Sequence, residues 1–229
     1  MKEIVIMNSK GGVGKTTLAD ELVFWVDRHT DPEDGQVWQI ADLDAQGGLI
    51  HEPGERAGAL VEIVDMPGEI GERDADVVRQ ADVVVVPMHN SSRDRPATEQ
   101  TLRTIKRAGR RGLPVVLVVN RYVSRTRQDR EWVEQGLRDW LNGLIAERSL
   151  PMVVCVMAMP ESSLVRAAAE EGVSVVTKAP RSSAAKAVDE VCEAVWDAMM
   201  NPGYEEYVKV RTEKRGPWTL LMRKDGKHA

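Results

Sequence analysis

At 229 residues, with 42% hydrophobic and 29% charged side chains, the chain has the composition of a globular protein large enough to bury a sizeable core, and its length favours one α/β domain with a tail. No apolar run approaches the ~20 residues that cross a bilayer, and a formal net charge of -5 excludes an overtly nucleic-acid-binding composition. The amino terminus enters an apolar run without the charged, apolar and small-residue regions of a signal peptide, which implies a cytoplasmic protein.

The first predicted element is a strand. Ile4 to Met7 is an apolar, β-branched run, and Gly11, Gly12 and Gly14 after it permit a tight turn whose N–H groups can face an anion. Residues 4 to 17, IVIMNSKGGVGKTT, match G-x-x-x-x-G-K-[ST] with Ser9 in the first glycine's place. A helix beginning near Lys15 then presents its N-terminal dipole to phosphates, Lys15 reaches the β- and γ-phosphates, and Thr16 offers a hydroxyl to Mg²⁺. The alternative is an ordinary glycine-rich turn; the preceding strand and Lys-Thr-Thr argue against it.

Leu18, Leu22, Val23 and Val26 keep helical spacing as far as the turn-forming TDPEDG of residues 30 to 35. Val37 to Ala41 reads as the second strand and runs into DLDAQGG, which puts Asp42 and Asp44 at its carboxyl end, where open α/β sheets bind ligands. Leu60 to Val64 ends in Asp65-Met66-Pro67-Gly68, with Asp65 in the position of a Walker B aspartate. A single such Asp is as readily a turn or a helix cap, but three at successive strand ends behind a phosphate loop argue for a site.

Residues 72 to 80 read as a short helix and Ala81 to Pro87 as a buried strand. Arg95 to Gly109 reads as a helix with Thr98, Leu102, Ile105 and Ala108 inward, and with Arg103, Lys106, Arg107, Arg110 and Arg111 crowding its end. The helix dipole alone would account for cations there. Pro114 to Val119 is the next strand and ends in Asn120-Arg121, after which Arg121, Arg125, Arg127 and Arg130 make a second basic cluster. The two clusters are expected to form one phosphate-contacting surface.

An amphipathic helix over 128 to 147 carries Trp132, Val133, Leu137, Trp140, Leu141, Leu144 and Ile145 as an apolar stripe that suits a core. Met152 to Met157 reads as a strand leading into an Ala158 to Pro160 loop, Ser162 to Glu171 as a helix closed at Gly172, Ser174 to Thr177 as extended, and Ser182 to Met200 as the last helix. Cys155 and Cys192 are expected to be buried thiols. The folded domain is placed at 1 to 203. The tail, 204 to 229, is net basic, with seven Lys or Arg against four Asp or Glu.

These residues resemble the deviant Walker A ATPases of the ParA and MinD superfamily, and most of all the small ParA-type partition ATPases. The specific mark is Lys10, a second lysine ahead of the glycines in KGGVGKTT; DLDAQGG, VDMPG, ADVVVVPM, VVNRY and PESSLVRAAAEEGVSVV extend the likeness over about residues 1 to 200. The resemblance implies a three-layer P-loop fold, a mostly parallel twisted sheet flanked by helices on both faces. It also implies ATP and Mg²⁺ as cofactors, bound by Gly11, Gly12, Val13, Gly14, Lys15, Thr16 and Thr17. Asp42 and Asp65 would join Thr16 in organising the metal, Asp44 would orient the attacking water, and Asn120 would contact adenine beneath a loop ending at Pro160.

Lys10, Lys15 and Asp44 are thus the implied catalytic residues, with Lys10 acting across an ATP-bound homodimer. The implied function is a weak, partner-stimulated ATPase switch that binds nonspecific DNA through Arg107, Arg110, Arg111, Arg121, Arg125 and Arg127 and segregates a plasmid or chromosome with an adaptor protein, on the nucleoid of a bacterial cell. The alternatives are a MinD-like membrane switch, using Trp218 to Met222 in the basic tail, and an accessory ATPase for conjugation or cargo positioning. Ala45 and Gly68 stand where the family has prolines, and only twenty residues separate Asp44 from Asp65, so the segment that often contacts a regulator is truncated.

Overall fold

Side chains along β1 (Lys2–Ile6) alternate between two cores, and that alternation sets the plan of the fold. Ile4 and Ile6 enter one apolar cluster, and Val5 enters the other. The computed structural model describes residues 1–31, 33, 35–69, 74–89, 91–110, 112–123, 135–137, 139–144 and 152–200, of which the side chains of 152–155 are left aside. Cys155 and the tail from 201 onward therefore lie outside the described side chains.

Around β1 the chain adds β2 (Trp38–Asp42), β3 (Val61–Asp65), β4 (Val83–Met88), β5 (Pro114–Tyr122) and β6 (Met152–Pro160) in the spatial order β2-β3-β1-β4-β5-β6. Every pairing is parallel, so each crossover needs a covering helix, and strands such as Val83 to Met88 are buried on both faces. α1 (Lys15–His29) and α7 (Ser183–Met200) supply helical residues to the cluster on one face; Leu18, Leu22, Val188, Cys192 and Val195 are buried there. α2 (Asp74–Gln80), α3 (Arg95–Ala108) and the helical residues 135–137 and 139–144 (α4) cover the other, with Val78, Leu102, Ile105, Leu137 and Leu141 buried. The result is the three-layer, sheet-centred α/β fold expected, with an all-parallel sheet.

Two local expectations are corrected. Ser174 to Thr177 is not extended: Val175–Lys178 forms a short helix, α6, after α5 (Ser163–Glu170). The β-branched run favours a strand, but the Ser174 hydroxyl caps the Val176 N–H at 3.0 Å and the Glu21 carboxylate accepts the Val175 N–H at 2.9 Å, which fixes a helical start. Likewise Ala158 to Pro160 is not a free loop, because β6 continues through it, pairing Ala158 with Val119 and Pro160 with Tyr122.

Candidate functional site

Parallel register brings the chemistry to one edge of the sheet. Ile6 pairs with Asp65 and Asp65 with Asp42, so the end of β1 and two carboxylates stand side by side. The chain leaves β1 through Asn8, whose side chain is fully buried and donates to the Pro87 carbonyl at 2.7 Å and to Thr98 Oγ1 at 3.1 Å, while its Oδ1 accepts the Lys10 N–H at 3.0 Å. Ser9 donates its hydroxyl to the Ala97 carbonyl at 2.8 Å and its N–H to Thr101 Oγ1 at 2.9 Å. The first half of the glycine loop is thereby fastened to α3, which explains why a serine stands in the first glycine's place. Asn8, Thr98 and Thr101 were not singled out as site residues by the sequence; polar side chains at inward strand and helix positions were the available signal.

Gly12 and Gly14 have φ of +73° and +97°, the left-handed conformation that a side chain resists, and the turn they make delivers Lys15 at the first position of α1. Lys15 is 5% exposed and has no hydrogen bond or ion pair among the described residues. Burial lowers its pKa, with Asp65 and Asp44 opposing the shift. Thr16 donates its hydroxyl to Asp65 Oδ2 at 2.7 Å. Asp65 is 1% exposed; burial pushes its carboxyl up to about 6 against the Thr16 hydrogen bond and the Lys15 charge, with Asp42 and Asp44 adding to the rise. Its second oxygen, Oδ1, is buried without a partner.

A largely buried lysine with no hydrogen bond among the described residues, a buried carboxylate oxygen without one and a neighbouring hydroxyl, at the end of a glycine turn, fit a polyphosphate with a hard divalent cation. No group of three or more His, Cys, Asp or Glu able to hold a metal ion occurs among the described residues. Mg²⁺ beside a phosphate does not need one, because it keeps several waters and takes one or two carboxylates.

Asp42 Oδ1 accepts the Asp44 N–H at 3.0 Å and Asp44 Oδ1 accepts the Gln46 N–H at 3.1 Å, two successive side-chain turns that set Asp44 at the rim. Thr17 lies half-buried beside Thr16, and Val13 is buried. Gly68 packs over the loop: a Cβ there would lie 3.5 Å from the Gly11 backbone and 3.8 Å from Lys15 Nζ. Lys10 is exposed and turned toward Asp94, with Nζ to Oδ1 at 3.8 Å.

Asn120 is 8% exposed and lies beneath the glycine loop, where its amide donates to the Val13 carbonyl. Pro160 is half-buried at the end of β6, one strand further out. Of the basic residues, Arg107 and Arg110 are exposed at the end of α3, and Arg110 pairs with Asp82 ahead of β4, at the edge of the sheet remote from the glycines. Arg121 is exposed at the far end of β5, a nine-residue strand that separates the two groups by roughly 25 Å. Arg107 and Arg110 thus stand toward one end of the strands and Arg121 toward the other. Arg111, Arg125 and Arg127 lie outside the described residues.

Solved structures similar to the chain include apo McdA from Cyanothece, at 13% identity with a TM-score of 0.62 over 86% of this chain and 99% of that one. The septum site-determining protein MinD from Pyrococcus horikoshii, complexed with Mg-ADP, is 17% identical with a TM-score of 0.59, over 85% of this chain and 95% of its own. The chain has the fold of McdA and MinD. Cobyrinic acid a,c-diamide synthase from Mycobacterium smegmatis, with a bound ATP analogue and magnesium, shares the MinD-like fold at 20% identity and a TM-score of 0.56, over 86% of this chain and 94% of that one. No protein-family model and no curated protein sequence matches the chain. No helix among the described residues is long and apolar enough to cross a membrane.

Proposed function

We propose that the protein is an ATPase that binds Mg-ATP at the glycine loop and dimerises in the ATP state. The observation that carries this reading is the Lys15, Thr16 and Asp65 group, in which the largely buried Lys15 side chain has no hydrogen bond or ion pair among the described residues and Asp65 Oδ1 is buried without a hydrogen-bond partner among them. Backbone N–H groups of Gly11 to Gly14 and the Lys15 ammonium hold the β- and γ-phosphates, and Thr17 meets the α-phosphate. Thr16, Asp65 and Asp42 hold the metal and its waters, and the metal, when bound, neutralises charge developing on the phosphoryl group. Asp44, at the rim, orients the water. Such a site works by position and electrostatics, since phosphoryl transfer needs little covalent help.

Lys10 is the residue that makes the enzyme a switch. Its side chain is half exposed and its contact with Asp94 is long, so little is lost when it turns to the phosphates of a second copy. ATP would then hold two subunits together, and hydrolysis would release them. The ParA-like sequence supports positioning of a DNA cargo, with Arg107, Arg110 and Arg121 as the candidate DNA contacts among the described residues and a dimer bringing the patches of two chains together. The likeness to MinD supports a membrane-associated positioning ATPase to the same degree.

Size-exclusion chromatography of the wild type and Lys10→Ala with ATP, ADP or neither, repeated with DNA and with anionic liposomes, tests the reading. ATP-dependent dimers that Lys10→Ala abolishes support the switch, and retention on DNA or on liposomes selects the cargo. A chain that stays monomeric with ATP contradicts it.

A further inference from the structure

The segment after Asp44 returns to α1 and is fastened there by one side chain. Asp20, one turn beyond Thr16 and Thr17, is 4% exposed, and its carboxylate accepts the Ile50 N–H at 3.0 Å and the His51 N–H at 3.2 Å. It also accepts from His51 Nδ1 at 2.8 Å. The His51 ring lies edge-on to Phe24 of α1 at 4.4 Å between centroids and to Trp38 of β2 at 5.3 Å. Between Asp44 and this anchor the backbone passes Gly47 and Gly48 at φ of +64° and +117°, and a Cβ on Gly48 would lie 3.8 Å from the Thr16 methyl. Two glycines give that stretch little stiffness of its own. Beyond His51 the chain folds back on β2 through the Gly54 N–H to the Ile40 carbonyl at 3.0 Å and the Arg56 N–H to Gln39 Oε1 at 3.1 Å, with no helix between Asp44 and Asp65.

We propose that Asp20 and His51 are positioning residues for Asp44: they latch the pliable 45–49 segment to the helix carrying Thr16 and Thr17, and so hold the Asp44 carboxylate where it orients the attacking water. The proposal rests on the ATPase reading above. It assigns the two residues no contact with nucleotide, so their loss acts on turnover and leaves binding in place. A misplacement of about 1 Å in a positioned group costs up to about 10²-fold in rate.

The test uses the full chain as wild type, Asp20→Asn, His51→Phe and His51→Gln, measuring Mg-ATP affinity by calorimetry, single-turnover hydrolysis, melting temperature and hydrogen exchange at the Ile50 and His51 amides. Asp20→Asn and His51→Phe are expected to bind Mg-ATP within about twofold of wild type, to hydrolyse it about tenfold more slowly and to exchange those two amides faster. His51→Gln, whose amide can donate to Asp20, recovers most of the rate. If Asp20→Asn does not fold, the His51→Phe and His51→Gln pair decides, because the first keeps the aromatic packing and only the second keeps a donor. Folded variants that hydrolyse at the wild-type rate overturn the latch alone; a wild type that hydrolyses no ATP overturns the ATPase reading and the latch with it.

Discussion

The Asn120 amide donates to the Val13 carbonyl at 2.7 Å, and its oxygen accepts the Arg121 N–H at 2.8 Å, so the end of β5 is tied to the underside of the glycine loop. Arg121, the next residue, has a φ of +51°, the single positive value of a non-glycine among the described residues. The adenine contact that the family resemblance implies for Asn120 must share an amide already engaged at both ends. Asn120→Ala is expected to cost about 1–3 kcal/mol of stability, the range for leaving a buried polar group unpaired, and to weaken Mg-ATP binding. Urea unfolding and calorimetry check both, and unchanged affinity would confine Asn120 to a structural role.

Gly14 sits against the same side chain. A Cβ at Gly14 would clash with Asn120 Nδ2 on a backbone with φ of +97°, so Gly14→Ala is expected to destabilise by about 1–3 kcal/mol and to abolish nucleotide binding. Because the clash is with Asn120, the Gly14→Ala, Asn120→Ala double variant should be more stable than the sum of the two single losses. Strict additivity in a double-mutant cycle would place the strain in the backbone alone.

Asp65 joins stability to function. Burial raises its pKa to about 6, so its charged form is held at the cost of stability, while Oδ1 waits unpaired. Asp65→Asn is expected to leave the melting temperature of the nucleotide-free protein at pH 8 unchanged or higher. It should also remove the upward shift that saturating Mg-ATP gives the wild type, about 2.7 kcal/mol at 100 times Kd. Differential scanning fluorimetry with and without Mg-ATP reads both; a variant still stabilised by Mg-ATP would remove Asp65 from the metal site.

At the opposite edge of the sheet, Glu3 has its pKa raised to about 7 by burial and then by the Glu62 and Asp82 charges. Glu62 is its registered neighbour on β3. A carboxyl whose folded pKa lies above its unfolded value binds protons more tightly when folded, so stability falls as pH rises from about 4.5 and levels off above about 7. Glu3→Gln removes that loss. The side chain is partly exposed, and after screening the gain is about 1 kcal/mol at pH 8 and nothing at pH 4. Thermal melts of both proteins from pH 4 to 8 check it, and parallel curves would contradict it.

The glycine loop, the three aspartates at strand ends and the strand–helix alternation were legible in the sequence, because each is written in local periodicity or in contiguous residues. Asp42 and Asp65 were readable as strand ends, but their adjacency is a register effect across β2 and β3. Contacts at long sequence separation were not readable: the Asn8 link to Thr98, the Asp20 bond to His51 and the Glu21 cap on α6 join residues 90, 31 and 154 positions apart. The α6 error has that origin, since a β-branched run was read without the carboxylate that ends it. How far apart Arg110 and Arg121 stand was likewise not readable, because a nine-residue strand lies between them.

Calorimetric titration of Mg-ATP into the wild type and Lys15→Ala tests the assignment of the glycine loop most directly. Wild type should bind one ATP per chain, and Lys15→Ala, confirmed as folded by its thermal melt, should bind at least tenfold more weakly. Equal affinities in the two proteins, or no binding by the wild type, would contradict it.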